Sequence, residues 1–274
     1  MERHPVYGLA MPEKGWVPAL RYALRRDRVL QIAAGLPARP AGADRRALEV
    51  GCGAGALLPD LAALGFECDA METSESAFEL ATYVNRDLPQ VRIHREPQPD
   101  WEGRFDLLLA FEVLEHIEDD AGTLAQWRSW LRPGGRMLLS VPARMARWSP
   151  TDVWGGHFRR YERQGLLDLL RRSGFEVEHH ECYGFPVSNL TERVRAWVHG
   201  RDLKRTANRA EQDKTALAEN TARSGTQRGI ESRLYPIQAS LPGTLAFRAA
   251  CWVQERFLDR EAGTGYLVLA RRTS

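Results

Sequence analysis

A glycine-rich run, Gly51-Cys52-Gly53-Ala54-Gly55, follows the acid Glu49 at the end of a short apolar stretch and leads into an apolar segment of helical character. Glycine permits a tight turn and lets backbone N–H groups approach a ligand, and a helix start leaves such groups free. A second acid, Glu72, lies about 20 positions on, where a carboxylate at the tip of the next strand meets ribose hydroxyls. The string satisfies two spacings. Gly51, Gly53 and Ala56 fit the dinucleotide pattern G-x-G-x-x-G/A, and Gly51, Gly53 and Gly55 fit a tighter GxGxG loop. The loop implies an adenosine-containing ligand without saying which, against the plainer alternative of a structural turn.

Two histidines stand where proton chemistry is possible. His116 follows the strongest apolar run, and His157 lies in Gly155-Gly156-His157-Phe158-Arg159-Arg160-Tyr161. Imidazole titrates near neutrality and suits a general base. His116 reads equally well as a residue that orients its loop; His157 and Tyr161 contact substrate or pack a loop onto the sheet, with Arg159 and Arg160 solvated. Glu112, Glu115, His116, Asp119 and Asp120 cluster, but a helix start accounts for the last two acids, so no metal is expected. Cys52 is most simply a small loop residue.

These groups need a scaffold, and the pattern supplies one. Residues 17–36 carry apolar side chains at near-helical spacing with arginines on the other face. A turn-rich linker follows, then strand 47–50, helix 56–64, strand 66–71, helix 76–84 and a weak strand at 91–93. A continuous apolar strand spans 105–110, of the kind buried on both faces. A helix over 119–131 ends in Arg132-Pro133-Gly134-Gly135, the turn into strand 136–141. Helix 163–173, strand 175–181 and a last strand at 265–272 complete the series. Strands alternating with helices predict an α/β fold with a doubly wound, mostly parallel sheet.

The 38 basic and 36 acidic residues nearly cancel, which gives no reason to expect nucleic acid as partner. The four scattered cysteines form no CxxC pair, so neither a disulfide framework nor a zinc knuckle is expected and a cytoplasmic setting fits. No apolar run reaches the roughly 20 residues of a membrane helix.

Four blocks decide between the two glycine spacings: LEVGCGAG, AMETSESAFELA, FDLLLAFEVLEHIEDD and LRPGGRMLLSVP. In order and spacing they closely resemble the class I S-adenosylmethionine-dependent methyltransferases, over about residues 45–182. The RPGG turn and the LEHI block are foreign to nicotinamide dehydrogenases, and GHFRRYERQGLLDLLRRSGFEV resembles a bacterial subgroup. The resemblance implies a seven-strand Rossmann-like sheet that binds S-adenosyl-L-methionine and releases S-adenosyl-L-homocysteine. By the same resemblance Glu49 faces the cofactor's ammonium, Gly51, Cys52, Gly53 and Gly55 run beside its methionyl and ribose parts, and Glu72 takes the ribose hydroxyls. Thr73 lies by the adenine, and Ala110, Phe111 and Glu112 pass close to the sulfonium. The family's acid after the third strand has no clear counterpart, and Glu96 in His94-Arg95-Glu96-Pro97 stands as a candidate.

The division expected is an N-terminal helical segment (1–44), a cofactor-binding core (45–182), a helical insertion (183–262) and the last core strand (263–274). Within the insertion 186–199 and 244–258 read as helices and 200–229 as a polar stretch, mobile or an exposed helix. Family members usually carry only a short hairpin there, so the insertion is placed to form a lid, with Tyr183, Phe185, Trp197, Phe247, Trp252 and Phe257 lining a pocket or burying its own helices. Peripheral contact with a membrane through 244–258 is a third possibility. The reading is O- or N-methylation of a small molecule with a histidine base. A nicotinamide-linked oxidoreductase and a non-catalytic cofactor-binding scaffold are the alternatives.

Overall fold

A computed structural model describes residues 1–37, 44–207 and 229–273. A short antiparallel hairpin, β1 (Glu2–His4) and β2 (Gly8–Ala10), opens the chain, and helix α1 (Leu20–Ala34) follows. Then come β3 (Arg45–Val50), α2 (Leu58–Ala63), β4 (Phe66–Met71), α3 (Glu75–Asn85), β5 (Val91–His94), β6 (Phe105–Phe111), α4 (Asp120–Trp130) and β7 (Leu131–Pro142). Helices α5 (Pro150–Gly155) and α6 (Arg163–Arg172) lead to β8 (Phe175–Tyr183). An insertion of α7 (Val187–Ala207), α8 (Gly229–Ala239) and α9 (Leu241–Glu255) precedes β9 (Gly265–Arg272).

Seven strands form one sheet in the order β5-β4-β3-β6-β7-β9-β8, parallel except for β9, which runs antiparallel to both its neighbours. Successive side chains of a strand point to opposite faces, and β6 shows why its sequence is apolar throughout. Leu108 and Ala110 pack on one face among residues of α4 and α6; Leu107, Leu109 and Phe111 pack on the other among residues of α1, α2 and α3. The Arg132–Gly135 turn bulges within β7, where pairing steps from Phe105↔Leu131 to Leu107↔Arg136.

Helix α1 shows one departure from the sequence pattern. Its arginines are not a solvated face. Arg26 makes a bidentate pair with Asp60 at the start of α2 (2.6 and 2.7 Å), and Arg28 pairs with the fully buried Glu181 of β8 (2.9 Å). Two hydrogen bonds in a planar fork fix orientation as well as distance, so α1 is clamped to α2 through Arg26 and to β8 through Arg28.

The insertion is anchored by Phe247, packed on Tyr7 of the opening hairpin (ring centroids 4.8 Å apart), and by buried Gln254, which accepts from the Gly184 amide (2.7 Å). Most of the polar stretch 200–229 lies outside the described residues. Among the described residues no helix is long and apolar enough to cross a membrane. All four cysteines are free thiols.

Candidate active site

The carboxyl ends of β3, β4 and β6 open onto a cavity of about 710 Å³, within the range that holds a cofactor-sized ligand. The glycine loop forms its floor. Gly51, Gly53 and Gly55 adopt φ of +67°, +56° and +63°, the left-handed region that side-chain-bearing residues avoid. A Cβ on Gly51 would lie 2.6 Å from a Val113 methyl, whereas one on Gly53 would meet nothing within 4 Å, because Gly53 faces the cavity. The loop is fastened to β4 by the Gly51 amide, which donates to the Met71 carbonyl (2.8 Å). Glu72 completes the clamp, accepting from the amides of Gly53 (2.8 Å) and Ser74 (2.9 Å). Burial pushes its pKa up and these backbone bonds pull it back down.

Glu49, Gly51, Cys52, Gly53, Glu72, Thr73, Phe111, Glu112, His116 and His157 all line this cavity, so elements far apart in sequence converge there. Four residues are placed otherwise. Gly55 lies off the wall, packed against Ala81 of α3 with its carbonyl accepting from Asn85 (3.1 Å). Ala110 is buried in the sheet behind the wall. Glu96 is exposed and off the wall, where its neighbour Pro97 stands instead. Tyr161 is also off the wall: its hydroxyl is spent on Asp120 (3.1 Å) and its backbone bridges to Ala143, so it holds the loop rather than meeting a ligand.

Burial drives the electrostatics around Glu49 and Glu112. Glu49 has an oxygen without a partner, and burial pushes its pKa up to about 8, with Arg25 opposing and Glu72 adding to the shift. Glu112 behaves oppositely. Burial alone would raise its pKa, but Arg21 and Arg25 hold it well below the ordinary carboxylate range, helped by hydrogen bonds from Tyr183 and Ser140. Arg21 reaches its Oε2 (2.5 Å), Arg25 lies 3.6 Å from Oε1, and the Tyr183 and Ser140 hydroxyls donate to Oε1 at 3.0 Å. Glu112 has φ +58°, a strained conformation for a non-glycine residue, sustained by this anchoring. The Arg25 guanidinium also sits 5.2 Å from the centre of the Phe111 ring.

The two histidines meet edge to face, ring centroids 4.7 Å apart. His157 is oriented by buried Asp152, whose Oδ1 lies 2.9 Å from Nδ1. Asp152 also accepts from Arg160 Nε (2.7 Å), and despite its burial the bonds from His157 and Arg160 hold its pKa well down. A carboxylate on Nδ1 fixes the tautomer and leaves Nε2 to accept a proton. His116 is different: burial, with His157 adding to it, drives its pKa down to about 4, so it is neutral near pH 7. Arg159 is not free either, pairing with Asp120 (2.6 Å). Glu115 is fully buried with both oxygens unpartnered, and burial and the neighbouring Glu112 push its pKa well up. One donor atom each from Glu115, His116 and His157 lies within 4.8 Å of the others, a grouping able to hold a divalent cation; the sequence put Glu115 and His116 together but not His157.

Asp152, Arg21, Arg25 and Tyr183 carry this geometry, and of these only Tyr183 was singled out in the sequence, as a pocket-lining aromatic rather than as a partner of Glu112. Asp152 had a signal: Ser149-Pro150-Thr151-Asp152 is a helix-capping string, and Ser149 and Asp152 do form a capping box. Arg21 and Arg25 are one helical turn apart and so share a face of α1, but spacing cannot say whether that face meets solvent or acids. Of the aromatics expected to line a pocket, Tyr183 is buried on Glu112, Phe185 stacks near Phe257 (4.7 Å), and Trp197 and Trp252 are exposed. None of the six is on the wall, which takes Trp16, Trp127, Trp130 and Trp154 instead.

Comparison with known proteins agrees with this arrangement. Residues 20–180 match the profile of a methyltransferase-domain family. A relative from Marinobacter nauticus named ubiquinone biosynthesis O-methyltransferase is 28% identical over 181 residues, which cover 59% of this chain and 74% of that one. In fold the chain is similar to an S-adenosylmethionine-dependent methyltransferase structure from Mesorhizobium loti (TM-score 0.51, 18% identity, 93% of this chain and 98% of that one). It is also similar to the [4+2]-cyclase SpnF (TM-score 0.52, 20% identity, 99% and 87%), so the fold alone does not name the reaction. The family match spans α1 through β8 and takes in the whole glycine-loop cradle: the chain belongs to the S-adenosylmethionine-dependent methyltransferases of this domain family.

Proposed function

We propose that the chain transfers a methyl group to an oxygen or nitrogen of a small-molecule acceptor, with His157 as general base. The observation that carries this reading is that His157, oriented by Asp152 behind it, and the glycine-loop cradle line one cavity. The residues present fit S-adenosyl-L-methionine. Gly53 leaves room that a Cβ would fill, Glu72 presents a carboxylate beside it for ribose hydroxyls, and the unpartnered oxygen of Glu49 awaits a cation such as the ammonium group. Arg21 and Arg25 pair with Glu112, and the Arg21 Nε, which has no partner among the described residues, is left for the methionyl carboxylate. When bound, the cofactor supplies a methyl carbon activated by positive sulfur.

The protein then has two tasks, alignment and proton removal. Asp152 keeps the His157 Nδ1–H directed at itself, so Nε2 takes the acceptor's proton, and the imidazolium that forms is stabilised by the Asp152 carboxylate. His116, neutral near pH 7, packs against the His157 ring without adding a competing charge. The name of the Marinobacter nauticus relative favours oxygen as the acceptor atom. Calorimetric titration with S-adenosyl-L-homocysteine and with a nicotinamide dinucleotide tests the central assignment, and binding of the dinucleotide alone overturns it. A turnover assay with a phenolic acceptor separates an enzyme from a cofactor-binding scaffold.

A second reading of the histidine pair is favoured by the unpartnered oxygens of Glu115, since buried polar atoms without partners are rare. In that reading Glu115, His116 and His157 hold a divalent cation that orients the acceptor's hydroxyl. Chelation distinguishes the two.

A further inference from the structure

Resting on the transfer reaction above, we propose that the acceptor carries an oxyanion, a carboxylate or a phosphate, received by Arg195 of the insertion in the cavity it shares with His157. Arg195 stands on α7 and lines the same wall as Arg21, Thr151 and Trp154. Among the described residues it makes no hydrogen bond or ion pair. The acids that face it are engaged or form no ion pair with it: Glu192 is held by Arg160 (2.6 Å) and Arg147 (3.7 Å), Glu112 by Arg21, and Glu231 acts on it without forming an ion pair. Burial pulls the guanidinium's pKa down, Glu231 offsets part of this, and Arg21 adds to it. Arg195 is half-buried, and a guanidinium that faces a cavity without a protein partner is a ready site for an anion.

The charges of the cavity support the assignment. Arg21, Arg25 and Arg195 bring three positive groups to this end, and Arg26 is already matched by Asp60. Glu112 offsets one of the three. Glu49 is protonated near neutrality while the cavity is empty, and the Glu72 carboxylate, held by the amides of Gly53 and Ser74, forms no ion pair with any of the three guanidinium groups. The cofactor's methionyl carboxylate offsets a second guanidinium, and its ammonium goes to Glu49. One positive group then remains unmatched, and geometry makes it Arg195, because Arg21 and Arg25 are the two already gathered on Glu112. A guanidinium presents a planar fork of donors that fits an oxyanion in bidentate fashion. An acceptor held there by its anionic end presents its other end to the cavity where His157 and the methyl donor meet.

The test uses the whole protein saturated with S-adenosyl-L-homocysteine and reads binding by calorimetry. Two pairs of probes separate the oxyanion sources: 4-hydroxybenzoate against its methyl ester, and phenyl phosphate against phenol. At least one anion should bind about tenfold or more tightly than its neutral twin, the weight of a charge-assisted hydrogen bond. Arg195→Gln should reduce that ratio to within about twofold, Arg195→Lys should retain part of it, and both variants should bind S-adenosyl-L-homocysteine as the parent does. Equal binding of the twins, a preference that survives Arg195→Gln, or anions that compete with S-adenosyl-L-homocysteine would overturn the proposal. If the parent failed to bind S-adenosyl-L-homocysteine at all, the transfer reaction itself would fall; binding without anion preference removes only the role of Arg195.

Discussion

Replacing Glu49 by glutamine should make the empty protein more stable and its cofactor binding weaker, and both effects can be sized from the structure. Glu49 is 6% exposed at the end of β3, and burial sets its pKa at about 8 against 4.5 for an ordinary glutamate. The folded state therefore binds a proton that the unfolded chain releases between those values. Stability falls as pH rises from about 4.5 towards 8, reaching a loss of about 3 kcal/mol at pH 7. Glutamine copies the neutral acid and removes that cost, so the cofactor-free variant should melt roughly 5–10 °C higher at pH 7. Binding moves the other way. At pH 7 a group with a pKa of about 8 is about nine-tenths protonated, and a docking ammonium favours its ionised form. Binding of S-adenosyl-L-homocysteine should then expel close to one proton at pH 7 and far less at pH 9, where Glu49 is already ionised. Calorimetry in two buffers of different ionisation enthalpy counts that proton. Glu49→Gln should abolish the release and weaken affinity about ten- to a hundredfold, the loss of a charge-assisted contact. A parent protein that exchanges no proton at pH 7, or a variant that still releases one, would refute the reasoning.

Other outcomes follow from the same geometry. His157→Ala should lower kcat by about a hundredfold or more while S-adenosyl-L-homocysteine affinity stays within about twofold, and Asp152→Asn should lower kcat in the same direction by misdirecting the tautomer. Equal turnover in both variants would rule out His157 as the base. His116 is held neutral in the fold with its pKa near 4, so the unfolded chain takes up a proton first as pH drops below about 6.5. Its share of stability is present above that pH and is lost on the way down to 4, a total of about 3 kcal/mol. Denaturant midpoints of His116→Phe and parent across pH 4–7 should diverge accordingly, and parallel curves would show that His116 is not buried neutral. Treatment with EDTA should leave turnover within about twofold if His157 is a proton acceptor, whereas loss restored by magnesium would assign Glu115, His116 and His157 to a cation instead.

The fold was legible because each element carries its own signal. The continuous apolar run of β6 could only be buried on both faces, and Gly51 through Gly55 could only be a tight loop between a strand and a helix. The last strand was placed correctly across a long insertion because GYLVLARR has the same character. The opening hairpin and α8 were not foreseen, since strands of three residues and a helix interrupted by Pro236 leave little periodicity to read. Tyr161 was a candidate by its neighbourhood in sequence and Glu96 by the family resemblance, and neither lines the cavity: one bonds to Asp120 and the other is exposed to solvent.

By itself the sequence determined the order of strands and helices, the cradle of Gly51, Gly53 and Glu72, and the two histidines, because these depend on local spacing that the backbone converts directly into position. Only the tertiary structure decided the protonation and pairing of the charged groups. Glu49 and Glu112 are both acids at strand ends in the same cavity, yet one is pushed up by burial and the other held down by Arg21 and Arg25 from a helix about 90 residues earlier. Which arginine finds which carboxylate, and which finds none among the described residues, as Arg195 does, depends on distances across the fold and on the water excluded between them, and neither is written in the spacing of residues along the chain.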